Sequence, residues 1–334
     1  MSASKYFVIT GGAGYIGSMV TAHLLARGDR VMIIDTLNFG GDSLLSFLPF
    51  ANFAWTKQDL TARAPLAEIM SNADTVIHLA ALVGFPACNQ AGREATWQVN
   101  VEGTRLVYEA AAQAGVDRLI FASSYSNYGL ASDGEMVTEE SPLQPQSSYA
   151  ESKVAAEQFL LAQSSQTGPA VTCLRLATVF GVSPRTRFDL MVNQFAWQAH
   201  QAEKLVIYQE NFRRAFIHVA DVAQAMLQVA DAPRSEVDGQ IFNVGNEALN
   251  SSKQELVQLL QEQWPALRVE LQDRSFGGDM RSLHVSFEKI RRVLNYTTHI
   301  DLRQGIAELH QALSLGWITN PADDRHRNHP PLLV

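Results

Sequence analysis

The chain has 334 residues, 46% of them hydrophobic and 18% charged, ordinary globular material for one large domain or two unequal ones. A formal net charge of −8 without any long Lys/Arg run excludes the basic surface that a nucleic-acid partner needs, while a small anionic ligand held by a few arginines stays open. Two cysteines, Cys88 and Cys173, exclude a disulfide framework and a CxxC metal cluster, so no metal is expected. Residues 1–5 pass straight into an apolar strand without a secretory signal pattern, and no run of about 18 apolar residues could span a membrane. The expectation is a cytoplasmic protein.

In chain order, residues 6–10 form a short β-rich run that ends in Thr10-Gly11-Gly12-Ala13-Gly14-Tyr15-Ile16-Gly17. Apolar residues at helical spacing then continue over 15–27 and stop at Gly28. Gly11, Gly14 and Gly17 therefore follow a strand and open a helix, the context of a dinucleotide fingerprint. Glycine lets the backbone turn sharply and approach a pyrophosphate, whose charge faces the helix N–H groups; Tyr15 and Ile16 belong to the same turn. A buried strand over 30–34 closes on Asp35, where a carboxylate accepts hydrogen bonds from both ribose hydroxyls and repels a 2′-phosphate. Because Thr36 and Leu37 follow it and no arginine does, NAD is favoured over NADP.

A third apolar-aromatic run precedes Asp59-Leu60, where Asp59 either reaches the adenine amino group or caps a helix. The strand over 75–79 ends in His78-Leu79-Ala80-Ala81, small residues that admit the cofactor ribose, with His78 read as structural. Asn100, counted with the cofactor-binding residues, stands before a helix over 101–114 and either ties loops together or caps that helix. A strand over 118–122 runs into Ser123-Ser124, and a helix over 149–162 begins at Tyr149 with Lys153 four residues on. Residues four apart share a helix face, so the Lys153 ammonium approaches the Tyr149 hydroxyl and the cofactor ribose together. A phenol with a pKa of about 10 is a poor base at neutral pH, and lowering it by about three units requires roughly 4 kcal/mol of preferential phenolate stabilisation. Supplied with that, Tyr149 removes a proton from a substrate hydroxyl as hydride leaves the same carbon. Ser124 hydrogen-bonds the reacting oxygen, with Ser123 and Ser126 near enough to compete for that role.

Strand 170–176 completes an alternation of strands and helices that means an α/β, doubly wound parallel sheet of Rossmann type. After about Gly181 the pattern changes. Basic and polar residues crowd Ser183-Pro184-Arg185-Thr186-Arg187 and Asn211-Phe212-Arg213-Arg214 around a helical run over 190–200. A strand-helix unit over 216–229 and an apolar run over 240–244 read as returns to the sheet. From Ser251 the chain is mostly helical, with Leu256, Leu259 and Leu260 on one face. The expected organisation is a dinucleotide-binding domain of residues 1–180 with returning segments at about 216–245, and a smaller, discontinuous α/β substrate lobe of 181–215 and 246–334. Residues 323–334, rich in His, Arg and Pro, are expected to be loosely held.

As an ordered set, residues 10–17, His78-Leu79-Ala80-Ala81, 100–104, Ser123-Ser124 with Tyr128-Gly129, 149–153 and 216–223 resemble the extended short-chain dehydrogenase/reductase family of nucleotide-sugar epimerases and dehydratases, over nearly the whole chain. The resemblance implies that Ser124, Tyr149 and Lys153 are catalytic, that NAD is often retained tightly, and that homodimers form through the helices near Val101 and Tyr149. The family's 4,6-dehydratases carry an acidic residue shortly after the catalytic Ser or Thr. Here the stretch is Tyr125-Ser126-Asn127, which speaks against dehydration and leaves oxidation at C4 of the sugar, followed by epimerisation or stopping at the ketone. The resemblance also places Arg214 and Arg281 on a nucleotide diphosphate; Ser126, Asn127 and Leu190 join them as substrate residues. Arg185 and Arg187 either join that site or are solvated loop charge. Thr178 stands where many relatives have Asn, which bears on one phosphate contact. UDP, GDP, CDP and dTDP all remain open as the nucleotide. Two other readings are weighed beside this one: an NAD-dependent dehydrogenase or reductase of a non-nucleotide alcohol, and a redox-inert dinucleotide sensor.

Overall fold

The structure, a computed structural model, describes residues 4–62, 65–129, 136–164, 168–201, 204–272 and 283–328. Seven strands, β1 (Tyr6–Thr10), β2 (Arg30–Asp35), β3 (Phe53–Lys57), β4 (Thr75–His78), β5 (Arg118–Ser124), β6 (Ala170–Leu176) and β7 (Gln240–Val244), form one sheet in the order β7-β6-β5-β4-β1-β2-β3. Every pairing in it is parallel. Strands β1 and β6 are buried along their whole length, as parallel strands covered on both faces must be.

Side chains alternate between the two faces with the strand period of two. Phe7, Ile9, Val31, Ile33, Ile77 and Ile120 meet helices α1 (Tyr15–Arg27) and α4 (Val219–Asp231) on one side. Val8, Ile34, Val76, Leu119, Phe121 and Val171 meet helices α2 (Gly103–Gln113) and α3 (Ser148–Ala162) on the other. Helix α1 stops where expected, at Gly28, whose φ of 89° is left-handed and whose N–H returns to the carbonyl of Leu25 at 3.0 Å. The chain runs outward from β1 through β2 to β3 and then crosses back to β4 on the other side of β1, so the carboxyl edge opens between β1 and β4, the usual ligand crevice of such sheets.

The strand expected to re-enter the large sheet near Phe216 does not. It is Arg213–His218, and it pairs in parallel with Thr178–Phe180 and antiparallel with Asn250–Ser252 in a separate small sheet. The place beside β6 is taken by β7, from Gln240↔Thr172 to Val244↔Leu176, and the strand pairs instead with the continuation of β6 at Thr178–Phe180. The following helix, α4, does pack back on α1. A third core joins Phe180, Phe188 and Phe216 to the helices Met191–His200, Lys253–Gln263 and Leu302–Ser314, with Leu256 and Leu260 fully buried and Leu259 partly so. Residues 323–328 are not loose either. The Phe188 amide donates to the carbonyl of His326 at 2.8 Å and the Asn328 amide to Asp189 Oδ2 at 3.1 Å. Residues 329–334 lie outside the described residues.

Helix α3 is fastened to the sheet by a buried charge network. Glu157, one turn after Lys153, receives Arg175 Nη2 at 2.5 Å and Nε at 3.2 Å, and its other oxygen accepts the Ser123 hydroxyl at 2.7 Å. Arg175 Nη1 donates to the Tyr128 hydroxyl at 2.9 Å and to the carbonyl of Glu139 at 3.1 Å. The Arg175 and Glu157 side chains are 3% and 1% exposed, so neither charge can fall back on water. Arg175→Leu should therefore cost about 3–5 kcal/mol in urea unfolding, and Arg175→Leu/Glu157→Leu should recover most of it, since the larger loss comes from stranding one charge.

Candidate active site

A cavity of about 520 Å³ opens at the carboxyl edge of the sheet. Its floor is the glycine turn. Gly11 has φ 72°, and a Cβ there would stand 2.7 Å from the Ala80 amide nitrogen, so the turn and the strand end can touch only through glycine. A Cβ on Gly17 would meet the Gly11 carbonyl at 2.5 Å, which binds α1 closely to the turn. Gly14 is different: its Cβ would find only the Gly11 carbonyl, at 3.1 Å, and its position caps α1 without a side-chain hydrogen bond. The first amides of a 13-residue helix thus face a smooth backbone cradle, which fits a dinucleotide pyrophosphate.

Asp35 stands at the end of β2 in the same wall. Its oxygens accept the Ala13 amide at 3.0 Å and the Leu37 amide at 2.8 Å, contacts that hold the carboxylate at the turn with lone pairs left over. Asp59 accepts both the amide and the hydroxyl of Thr61, at 2.8 and 2.7 Å, so it closes a tight turn; the next helix begins only at Leu66. Asp59, Leu60, Leu79, Ala80, Ala81, Tyr15 and Ile16 all line the cavity. Tyr15 also donates its hydroxyl to the carbonyl of Gly181 at 2.8 Å, joining the glycine turn to the second lobe. His78 lies beneath, between Thr10 Oγ1 at 2.7 Å and Thr104 Oγ1 at 2.9 Å. Burial, and then the Lys153 charge, push its pKa down to about 3, so it is a neutral structural bridge.

Asn100 is not in the cavity wall. It sits in a π turn, Gln98–Glu102, that faces it inward, and its amide mimics a backbone partner for Leu82, accepting from the amide at 2.8 Å and donating to the carbonyl at 2.9 Å. Its Nδ2 also reaches Ser152 Oγ at 2.9 Å. Of the two alternatives open at that position, loop tying is the one observed: Asn100 joins the loop after β4 to helix α3.

Tyr149 and Lys153 come to the cavity on the first two turns of α3, which Ser147 caps by accepting the Ala150 amide at 3.2 Å. Lys153 is 3% exposed; its ammonium donates to the carbonyl of Ala122 at 2.8 Å and lies 4.6 Å over the Phe121 ring. Burial lowers its pKa to about 8. The adjacent serines separate by the pleat of β5. Ser123 commits its hydroxyl to Glu157 and receives Asn127 Nδ2 at 3.0 Å, inside the network. Ser124 faces the cavity, and its Oγ accepts the Ser126 amide at 3.1 Å, which leaves the hydroxyl proton to be donated. Ser126 lines the cavity; Asn127, fully buried, does not.

The second lobe supplies the opposite wall with Thr178, Arg185, Arg187, Leu190 and Arg214. Thr178 Oγ1 and the Tyr125 hydroxyl are 2.8 Å apart, so a threonine and a phenol stand beside Ser124. Arg187 is buried and bidentate to Asp189, at 3.0 and 2.7 Å. Burial opposes its charge, but Asp189 prevails and its pKa stands above the ordinary value. Arg185 is buried as well, which removes solvated loop charge as an account of either residue. Its Nε and Nη2 are spent on residues 325–328, and it lies over Phe39 at 4.1 Å. Arg213 turns away to Glu255 at 2.5 Å and the carbonyl of Asn250 at 2.7 Å. Arg281 lies outside the described residues. Phe39 and Asn328 line the cavity unannounced by any local pattern, since Asn328 reaches Arg185 from 143 positions away.

Lys153 carries a pH signature. Its folded pKa of about 8 lies below the ordinary 10.5, so below pH 8 the fold bears a buried charge that the unfolded chain keeps in water. Between pH 8 and 10.5 the folded chain binds fewer protons than the unfolded one, and stability from this group rises with pH. Lys153→Met should lack that rise. Denaturant unfolding should show it gaining on the wild type by up to roughly 3 kcal/mol below pH 8, with the gap closing towards pH 10.5.

Comparison with known proteins matches residues 7–245 to the NAD-dependent epimerase/dehydratase family. The chain is 28% identical over 315 residues to a dTDP-glucose 4,6-dehydratase of Streptomyces griseus, covering 91% of this chain and 92% of that protein. It is 29% identical over 266 residues to a UDP-glucose 4-epimerase of Streptomyces lividans, covering 73% and 76%. Among solved structures, MoeE5 in complex with UDP-glucuronic acid and NAD superposes with a TM-score of 0.80 at 27% identity, covering 93% of this chain and 99% of that one.

Proposed function

Because this chain belongs to the NAD-dependent epimerase/dehydratase family, we propose that it oxidises C4 of a nucleotide-diphosphate sugar, as a 4-epimerase or a 4-dehydrogenase. The observation that carries the reading is that Ser124, Tyr149 and Lys153 share one cavity with the fingerprint glycines and Asp35 on one side and Arg187 and Arg214 on the other. Bound NAD supplies the hydride acceptor.

In this reading Tyr149 takes the proton of the C4 hydroxyl as the C4–H bond releases hydride and the carbonyl forms. Ser124 donates a hydrogen bond to that oxygen, held in place by the Ser126 amide on its Oγ. Lys153, fixed on the Ala122 carbonyl, keeps a positive charge one turn from the phenol and favours phenolate. Arg214 binds the diphosphate of the sugar nucleotide, with Arg187 adding positive charge nearby, and Ser126, Thr178 and Leu190 border the sugar. Hydride returned to the opposite face of C4 completes epimerisation; a reaction that stops at the ketone is dehydrogenation. Two observations support a route without elimination. Tyr125-Ser126-Asn127 follows Ser124, and among the described residues the acidic side chains in the wall are Asp35 and Asp59, both on the glycine-turn side. A complex with UDP-glucuronic acid in a structural neighbour supports a nucleotide sugar as the substrate class. A cytoplasmic homodimer through α2 and α3 belongs to the same reading.

The test is incubation of purified protein with UDP-, GDP-, CDP- and dTDP-sugars, followed at 340 nm and by NMR of the sugar. The expected result is either a C4-inverted sugar without NADH or a 4-keto sugar with one NADH formed per turnover. Tyr149→Phe should lose about 10²–10⁴-fold in kcat, and Arg214→Ala should raise KM by about tenfold or more. Silence across the panel would overturn the substrate class, and full turnover by Tyr149→Phe would overturn the mechanism.

A further inference from the structure

Residues 323–328 tie together two loops at the rim of the cavity, and Asn328 lines it. On one side Arg325 pairs with Asp42, a few residues beyond Asp35 and Phe39. On the other, Arg185 donates from Nε to the carbonyl of Arg325 at 2.9 Å, and from Nη2 to the carbonyl of Arg327 at 3.0 Å and Asn328 Oδ1 at 2.9 Å. His326 Nδ1 meets the carbonyl of Thr186 at 2.9 Å, and the amides of Phe188 and Asn328 bind His326 and Asp189 as described above. Arg185, Phe39, Asn328 and Asp35 all face the same cavity. The segment therefore bridges the loop after β2, which begins just past Asp35 and carries Phe39 and Asp42, and the loop that opens the second lobe.

A buried guanidinium is costly unless its donors are satisfied. Burial, and then the neighbouring Arg187, bring the Arg185 pKa down to about 10, against the opposing pull of Asp189 and Asp35. Its acceptors come from two backbone carbonyls and a side chain of the segment, so removing the segment would strand the charge. Arginine and segment hold each other in place. Phe39 lies under the guanidinium and is held by the same contact.

We propose that Arg185 is a positioning residue that fastens residues 323–328 as a strap over the adenosine end of the cavity, so that bound NAD leaves only when the strap opens. Opening breaks the Arg185 hydrogen bonds and the Arg325–Asp42 pair together, and dissociation then proceeds at the rate of that local opening. The inference requires NAD in this cavity and does not depend on which sugar is turned over or on whether hydride returns.

The test measures NAD per protomer after repeated desalting, and the rate at which prebound NAD is captured by an auxiliary dehydrogenase in excess. Wild type is compared with Arg185→Lys and with a chain whose residues 323–328 are exchanged for alternating glycine and serine. Circular dichroism and the melting midpoint are recorded for each. Both variants should release NAD about tenfold faster or more, the loss of roughly one charge-assisted hydrogen bond from the closed state. A segment that only stabilises the fold would lower the melting midpoint and leave the release rate where it was. Release within twofold of wild type in the folded variants, or rapid exchange of NAD from the wild type itself, would overturn the proposal. Should Arg185→Lys not fold, the segment exchange decides alone.

Discussion

The position of one buried ammonium governs this molecule. Lys153 sits under the carboxyl edge of the sheet on the carbonyl of Ala122, and the helix that carries it must be docked firmly enough to keep a charge there. One turn further, Glu157 provides that docking through Arg175 on β6 and Ser123 on β5. The network spans the same two strands whose ends line the cavity beside Tyr149 and Lys153. Breaking it would loosen not only the fold but the register between Lys153, Tyr149 and Ser124. The pleat does the rest: Ser123 spends its hydroxyl in the network, and the Ser124 hydroxyl stays available to the cavity.

The cavity is divided chemically along its length. At the glycine turn the partners are backbone amides, a carboxylate and residues too small to obstruct, a surface that suits a dinucleotide with an unmodified ribose. In the middle stand hydroxyl groups of Ser124, Ser126, Thr178 and the phenols of Tyr125 and Tyr149. On the far wall are the arginines of the second lobe. Their burial sets their roles, since each buried guanidinium needs its own acceptors: Arg187 takes Asp189, and Arg185 takes the strap. Arg214 faces the cavity from the small sheet, whose parallel pairing with Thr178–Phe180 brings it to the continuation of β6.

Local chemistry explains how much of this was readable in advance. The glycine turn, Asp35 and the Tyr149–Lys153 spacing depend on neighbours within one turn or one strand end, and all of them reach the cavity. His78 was read as structural and is held between two threonines. The strand Arg213–His218 lies outside the large sheet, against the expectation for 216–229, because periodicity reports that a segment is buried and extended, not where it pairs. The polar composition of 323–334 points to a loosely held segment, but residues 323–328 take their order from Arg185, a partner 140 positions away. Asn100 posed a different difficulty. Its type suits cofactor contact, a cap or a tie between loops, and only the π turn beneath it selects the last.

The sequence by itself therefore determined the alternating α/β plan, the glycine turn with Asp35 at the end of the next strand, and the tyrosine-lysine pair, because each is a property of residues close together along the chain. Only the tertiary structure decided which serine keeps its hydroxyl available to the cavity, where the second-lobe arginines spend their hydrogen bonds, and that a segment near residue 325 packs against the loop after β2. Those are contacts between residues distant in the chain, fixed by which strand edge is free and which buried charge still needs a partner, and no local spacing encodes either.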